Sequence, residues 1–139
     1  MAAESGMTTL EGKKILVADD DASILRIVQM VLSRHGMTVV TAEDGEEALQ
    51  KAVLEKPDAM LLDIHMPKMD GLELLSKLKA TEATAHIPVG FLTAEKELES
   101  FKQAQELGVL LYIIKPFKPE RLVSNVGILL AYQPPPEVP

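Results

Sequence analysis

Four short apolar runs in this chain each end in a side chain able to do chemistry. Met60, Leu61 and Leu62 lead into Asp63; the run KKILVA, Lys13 to Ala18, stops at Asp19, Asp20 and Asp21; VGFL stops at Thr93; and Val109 to Ile114 stops at Lys115. Each run is too short for a helix and suits a strand covered on both faces. If the strands are parallel, all four ends share one edge, where open α/β sheets bind their ligands. Carboxylates crowded there repel one another and call for a proton or a divalent cation. Oxygen-only ligands select a hard ion. Mg²⁺ fits best, with Mn²⁺ as a substitute, because it binds through one or two carboxylates and a phosphoryl oxygen while keeping several waters. Such an ion beside Asp63 would permit in-line attack of a carboxylate oxygen on an incoming phosphoryl group. Lys115 adds a second positive charge, Thr93 offers a hydroxyl to a phosphoryl oxygen, and small Ala94 leaves the approach open.

The elements between these ends must hold them in place. Ile24, Ile27, Val28, Val31 and Leu32 recur at helical spacing and predict a first helix ending near His35-Gly36, with Asp21 as its cap. Met37 to Thr41 reads as a strand and Gly45 to Lys56 as a helix with Ala48, Leu49, Ala52 and Val53 inward, closed by Pro57. After the strand Asp58 to Asp63, Pro67 and Asp70-Gly71 turn the chain into a helix from Leu72 lined by Leu74, Leu75 and Leu78. A polar turn, Thr81 to His86, precedes the strand opened by Pro88. Ala94 to Leu107 reads as a helix carrying Leu98, Phe101, Ala104 and Leu107, stopped by Gly108. Glu120 to Tyr132 closes the series with Leu122, Val123, Val126, Leu129 and Leu130 on one face. Strand and helix thus alternate about five times, which predicts a single α/β domain: a doubly wound parallel sheet with helices on both faces.

Size and composition agree and exclude several classes. A chain of 139 residues, 47% hydrophobic, supports one domain and no second. Residues 1–12 are aperiodic and are expected to be a flexible leader; residues 13–132 form the domain; the proline-rich 133–139 is a tail or linker. No apolar run reaches membrane-spanning length, and the start lacks a secretory pattern, so a cytoplasmic location without membrane insertion is expected. The absence of cysteine excludes thiolate metal sites, and a net charge of −7 argues against direct nucleic-acid binding.

The motifs ILVADDD, LLDIHMPKMDG, FLTA and YIIKPF, in this order and spacing, resemble the receiver domain of bacterial two-component response regulators from about Lys13 to Tyr132. The resemblance implies a flavodoxin-like strand order 2-1-3-4-5. It also implies that Asp63 is the phospho-acceptor, that Asp20 and Asp63 ligate Mg²⁺ directly, and that Asp19 acts through a bound water. The backbone carbonyl of His65 would complete the protein ligands. Lys115 would pair with Asp63 or its phosphate, Lys115-Pro116 would be a cis bond, and Thr93 with Tyr112 would form the switch. The side chains of His65 and Glu95 would modulate dephosphorylation. The expected function is Mg-dependent phosphoryl transfer from a sensor histidine kinase or phosphotransfer protein to Asp63, changing the face made by the fourth helix, fifth strand and fifth helix. The output partner is left unknown, and the apolar side chains of Leu110, Leu111, Ile128 and Tyr132 near this face suggest a surface for a partner or for a phosphorylation-dependent homodimer. The chain would be a regulatory acceptor that promotes its own phosphorylation and dephosphorylation, not a turnover enzyme.

Other readings are weaker or stay open. An aspartyl-nucleophile phosphatase resembles a pattern with a second acid two residues after the first, where this chain has His65. A flavodoxin-like cofactor binder needs a hydroxyl- and glycine-rich phosphate loop where Asp19 to Asp21 would repel phosphate. A degenerate receiver acting purely as a protein-interaction module is the main rival. Gly90 inside a strand leaves a gap unless a neighbour fills it. Leu110, Leu111, Ile128 and Tyr132 read either as an apolar patch or, for the leucines, as ordinary strand burial, and Tyr112 reads either as a switch or as packing.

Overall fold

The structure, a computed structural model, describes residues 10–94 and 101–132. In chain order its elements are β1 (Lys14–Ala18), α1 (Ala22–Ser33), β2 (Thr38–Ala42), α2 (Gly45–Glu55), β3 (Ala59–Asp63), α3 (Gly71–Ala80), β4 (Val89–Ala94), α4 (Phe101–Glu106), β5 (Leu111–Lys115) and α5 (Pro119–Ala131). The five strands form one parallel sheet in the order β2-β1-β3-β4-β5, the order the resemblance implied.

Period-2 alternation divides the strands between two cores. Leu16, Met60, Leu62 and Phe91 pack with Ala48 and Ala52 of α2, Leu74, Leu75 and Leu78 of α3, and Ala104 of α4. Ile15, Val17, Leu61 and Leu92 pack on the other side with Leu25, Val28 and Leu32 of α1 and Leu122, Val126 and Leu129 of α5. Every residue of β3 is buried, which is why it reads as a continuous apolar run. Burying one such leucine contributes roughly 1.5–3 kcal/mol, so the strand that carries Asp63 is firmly held.

The caps follow the sequence. The Asp21 side chain accepts the Ser23 N–H at 2.9 Å to open α1, Asp44 accepts from Glu47 N–H at 2.8 Å to open α2, and Asp70 accepts from Glu73 N–H at 2.8 Å to open α3. Lys56, at φ 50, stops α2 before Pro57.

Several expectations need correction. The buried stripe of α1 is Leu25, Val28, Val31 and Leu32, with Ile27 solvent-facing, because apolar residues at 24, 25, 27 and 28 offer two overlapping stripes. Val53 of α2 likewise faces outward, beyond the narrow Ala48–Ala52 contact with the sheet. β4 continues through Ala94, where a helix was expected to begin; Glu95, Leu98 and the side chain of Phe101 lie outside what is described. β5 starts at Leu111, not Val109, since the Val109 N–H closes α4 on the Ala104 carbonyl at 3.0 Å. Leu110 and Leu111 are partly buried against the α1/α5 core, so packing accounts for much of both. Leu10 also packs on that core, and the Gly12 N–H donates to the Gly36 carbonyl at 2.9 Å, so residues 10–12 join the fold. No described helix is long and apolar enough to cross a membrane.

Candidate functional site

The carboxyl ends of β1, β3, β4 and β5 bring Asp19, Asp20, Asp63, Thr93 and Lys115 to one edge of the sheet. Asp19 is fully buried at the end of β1, and its N–H continues the ladder to the Ala42 carbonyl of β2 at 3.0 Å. Its Oδ1 accepts the Asp21 N–H at 2.9 Å. Its Oδ2 lies 2.6 Å from Lys115 Nζ, a charge contact rather than an aligned hydrogen bond, so that buried oxygen has no hydrogen-bond donor. Asp20 is exposed beside it. Asp21, by contrast, belongs to the α1 cap: the Ser23 hydroxyl donates to it at 2.6 Å, and this bond above all holds its carboxyl below the usual range.

Asp63 is nearly buried, and burial followed by the charge of Asp19 pushes its pKa up to about 6. Lys115, a hydrogen bond from the His65 backbone N–H, and Asp20 act as smaller influences, the first two downward and the last upward. Sequence reasoning assigned His65 a role through its carbonyl and missed this donated bond, for which a sequence carries no signal. Lys115 Nζ is 3.6 Å from Asp63 but closer to Asp19, so in this state the lysine leans towards the deeper carboxylate.

The loop after Asp63 is folded back tightly on its own strand. The Gly71 N–H donates to the Ile64 carbonyl at 2.6 Å, and a Cβ on Gly71 would collide with the Asp63 carbonyl oxygen and come within 2.8 Å of Ile64 Cα. Asp70-Gly71 is therefore more than a turn dipeptide: only glycine permits the backbone to pass so close to Asp63. Lys68, at φ 70, reaches back to Asp44 at 3.6 Å and ties the loop to the start of α2.

On the opposite flank the Thr93 side chain is buried, and its hydroxyl donates to the Ala94 carbonyl at 3.1 Å. Thr93 pairs with Ile114, Ala94 with Lys115, and Phe91 with Tyr112, so Thr93 and the half-exposed Tyr112 share one face of the sheet. Lys115-Pro116 is cis, as expected. Glu95 lies outside the described residues.

The donor set fits a hard divalent cation. Asp19, Asp20 and Asp63 each offer a carboxylate oxygen, all within 4.8 Å of one another. Among the described residues, three carboxylates share the single Lys115 ammonium, and the raised pKa of Asp63 marks negative charge that the protein alone does not fully offset.

Known proteins share this fold. The model of the response regulator receiver domain matches residues 15–127. The alkaline phosphatase synthesis transcriptional regulatory protein PhoP of Bacillus subtilis is 43% identical over 118 residues, 85% of this chain and 48% of that protein. This chain thus spans about half the length of the curated relatives it matches. Among solved structures, chemotaxis response regulator CheY4 of Vibrio cholerae has a TM-score of 0.80 at 33% identity, covering 85% of this chain and 98% of that one. The receiver domain of sensor histidine kinase PA1611 from Pseudomonas aeruginosa, solved with magnesium coordinated in its active site cleft, has a TM-score of 0.80 at 26% identity, covering 87% and 99%. A family match across most of the chain, on a fold whose acidic edge answers to it, makes this chain a member of the response regulator receiver domain family.

Proposed function

We propose that this chain is a phosphorylation-dependent receiver in a two-component phosphorelay, accepting a phosphoryl group on Asp63 from a sensor histidine kinase or phosphotransfer protein. The observation that carries this is the juxtaposition of three carboxylates, Asp19, Asp20 and Asp63, with Lys115 Nζ between two of them. Asp20 and Asp63, with the His65 carbonyl and Asp19 through a water, would hold Mg²⁺, which supplies positive charge to the phosphoryl oxygens.

The residues of the chain do the rest. Ionised Asp63 forms the new O–P bond in line as the donor's nitrogen–phosphorus bond breaks and the electron pair leaves with the imidazole. Lys115 follows the new charge, moving from Asp19 towards the phosphoryl group. The Thr93 hydroxyl exchanges its bond to the Ala94 carbonyl for one to a phosphoryl oxygen. That exchange vacates space on the face shared with Tyr112, whose ring turns inward and biases the surface of α4, β5 and α5. His65, exposed at the mouth of the site, and Glu95 set the access of water that later hydrolyses the acyl phosphate.

The test is phosphorylation with a small acyl phosphate followed by intact-mass measurement. One phosphoryl group, base-labile, lost with chelator and absent in Asp63→Asn, supports the reading. Normal Mg²⁺ binding without any phosphoryl uptake would instead favour a receiver that acts only by protein contact.

A further inference from the structure

Helix α2 carries a second stripe of which the core uses only Leu49, partly buried against it. Ala48 and Ala52 bury its inner face, whereas Glu46, Leu49, Gln50, Val53 and Leu54 fall at i, i+3, i+4, i+7 and i+8 along the outer one. Leu54 is 77% exposed and Val53 39%, and Leu49, Gln50, Val53 and Leu54 line one shallow apolar surface of about 380 Å³. This surface lies apart from β5 and α5.

Its charges have a definite polarity. Glu47 is paired with Lys51 at 2.8 Å, Glu55 with Lys14 at 3.1 Å, and Asp44 with Lys68 at 3.6 Å. What is left is the exposed Glu46 before the apolar stripe and the exposed Lys56 after it, neither in an ion pair among the described residues. Such a stripe is self-complementary when reversed. A two-fold axis at the level of Lys51 sets Glu46 opposite Lys56 of a second copy, each about 7.5 Å from the axis at 1.5 Å per residue, and Leu49 opposite Val53, each about 3 Å from it. Gln50 falls beside the axis, where two side-chain amides can bond to each other, and the helix dipoles run antiparallel.

We propose that the outer face of α2 is a self-association surface, on which a second copy of this chain docks antiparallel through Leu49, Val53 and Leu54 with Glu46–Lys56 ion pairs at both ends. Four side chains fall well short of the ~800 Å² per partner of a stable interface, so the dimer is weak and transient. Both copies are acidic, with a net charge of −7 each, and only this local pattern offsets their repulsion. The surface is independent of phosphorylation at Asp63.

Sedimentation equilibrium up to the upper micromolar range and cysteine cross-linking test it. Because the chain has no cysteine of its own, Gln50→Cys gives one reactive site, with exposed Ser124→Cys on α5 as control. Gln50→Cys should form a disulfide dimer roughly tenfold faster than the control, the effect of raised local concentration. Glu46→Lys and Lys56→Glu should each weaken association, the two together should restore it, and Leu54→Glu should abolish it. Equal cross-linking rates, association that survives Leu54→Glu, failure of the double charge exchange to restore it, or a strictly monomeric parent would each overturn the proposal.

Discussion

Gly90 of β4 and Leu111 of β5 are direct partners across the sheet, and Leu111 Cδ1 lies 2.7 Å from where a Cβ on Gly90 would stand. Leu129 of α5 closes the same space at 3.3 Å. The gap left by a glycine inside a strand is thus filled by a leucine from the neighbouring strand. Gly90→Ala needs only the ends of Leu111 and Leu129 to shift and should change stability little, whereas the larger Gly90→Val should lose about 1–3 kcal/mol to overpacking. In Leu111→Ala the added methyl instead fills a void. A urea-denaturation double-mutant cycle should show a favourable coupling of about 1 kcal/mol; strict additivity would mean that the two residues do not share this space.

Asp63 makes the stability of the metal-free protein fall as pH rises. Its pKa is about 6 in the fold against 3.8 for the ordinary group, so the fold binds a proton that the unfolded chain releases. This contribution is complete below the ordinary value and is lost as pH rises through about 6. Asp63→Asn, neutral throughout, should therefore be more stable than the parent in chelator above neutrality, by up to about 3 kcal/mol, and should gain nothing in acid. Thermal melts at the two extremes check the sign, and a gain confined to acid would contradict it.

Mg²⁺ should reverse part of that penalty. An ion held only by the folded state stabilises it by mass action, by about 1.4 kcal/mol at ten times its dissociation constant, and so raises the melting temperature. Asp20→Asn should weaken the binding tenfold or more, equivalent to about 1.4 kcal/mol, as read by amide shifts in a Mg²⁺ titration. An unaltered titration would remove Asp20 from the ligand set.

Thr93→Ala separates phosphorylation from response. The hydroxyl now donates to the Ala94 carbonyl, and its loss leaves the carboxylates and Lys115 in place. The variant should still accept a phosphoryl group on Asp63, yet addition of beryllofluoride should no longer move the Tyr112 ring resonances. A normal ring response would put the hinge elsewhere and leave Tyr112 as strand packing.

Asp63, the acidic end of β1 and Lys115 were legible because each lies where an apolar run stops, and a parallel sheet gathers such ends automatically; the strand order came from the resemblance of the motifs to a known family. The α1 stripe was not, since two overlapping sets of apolar residues satisfy the same period and only the crossing of α1 over β1 and β2 selects Leu25 above Ile27. The preference of Lys115 for Asp19 over Asp63 depends on depth along the edge, a quantity with no image in sequence. Gly90 looked like a defect until its partner across the sheet was known. The polar side chains could be placed by counting along one strand; the glycines could be understood only from two segments distant in the chain.

The place of β3 within the sheet also sets a timescale. It is bonded on both sides, to β1 and β4, and buried along its whole length, whereas β5 is bonded to β4 alone and leaves Tyr112 and Ile114 half open to water. Amide hydrogens along β3 should exchange only through global unfolding, while those of β5 exchange through smaller local openings. On the proposed function, a covalent change at Asp63 would thereby be written on a strand that opens slowly and read on one that opens more readily.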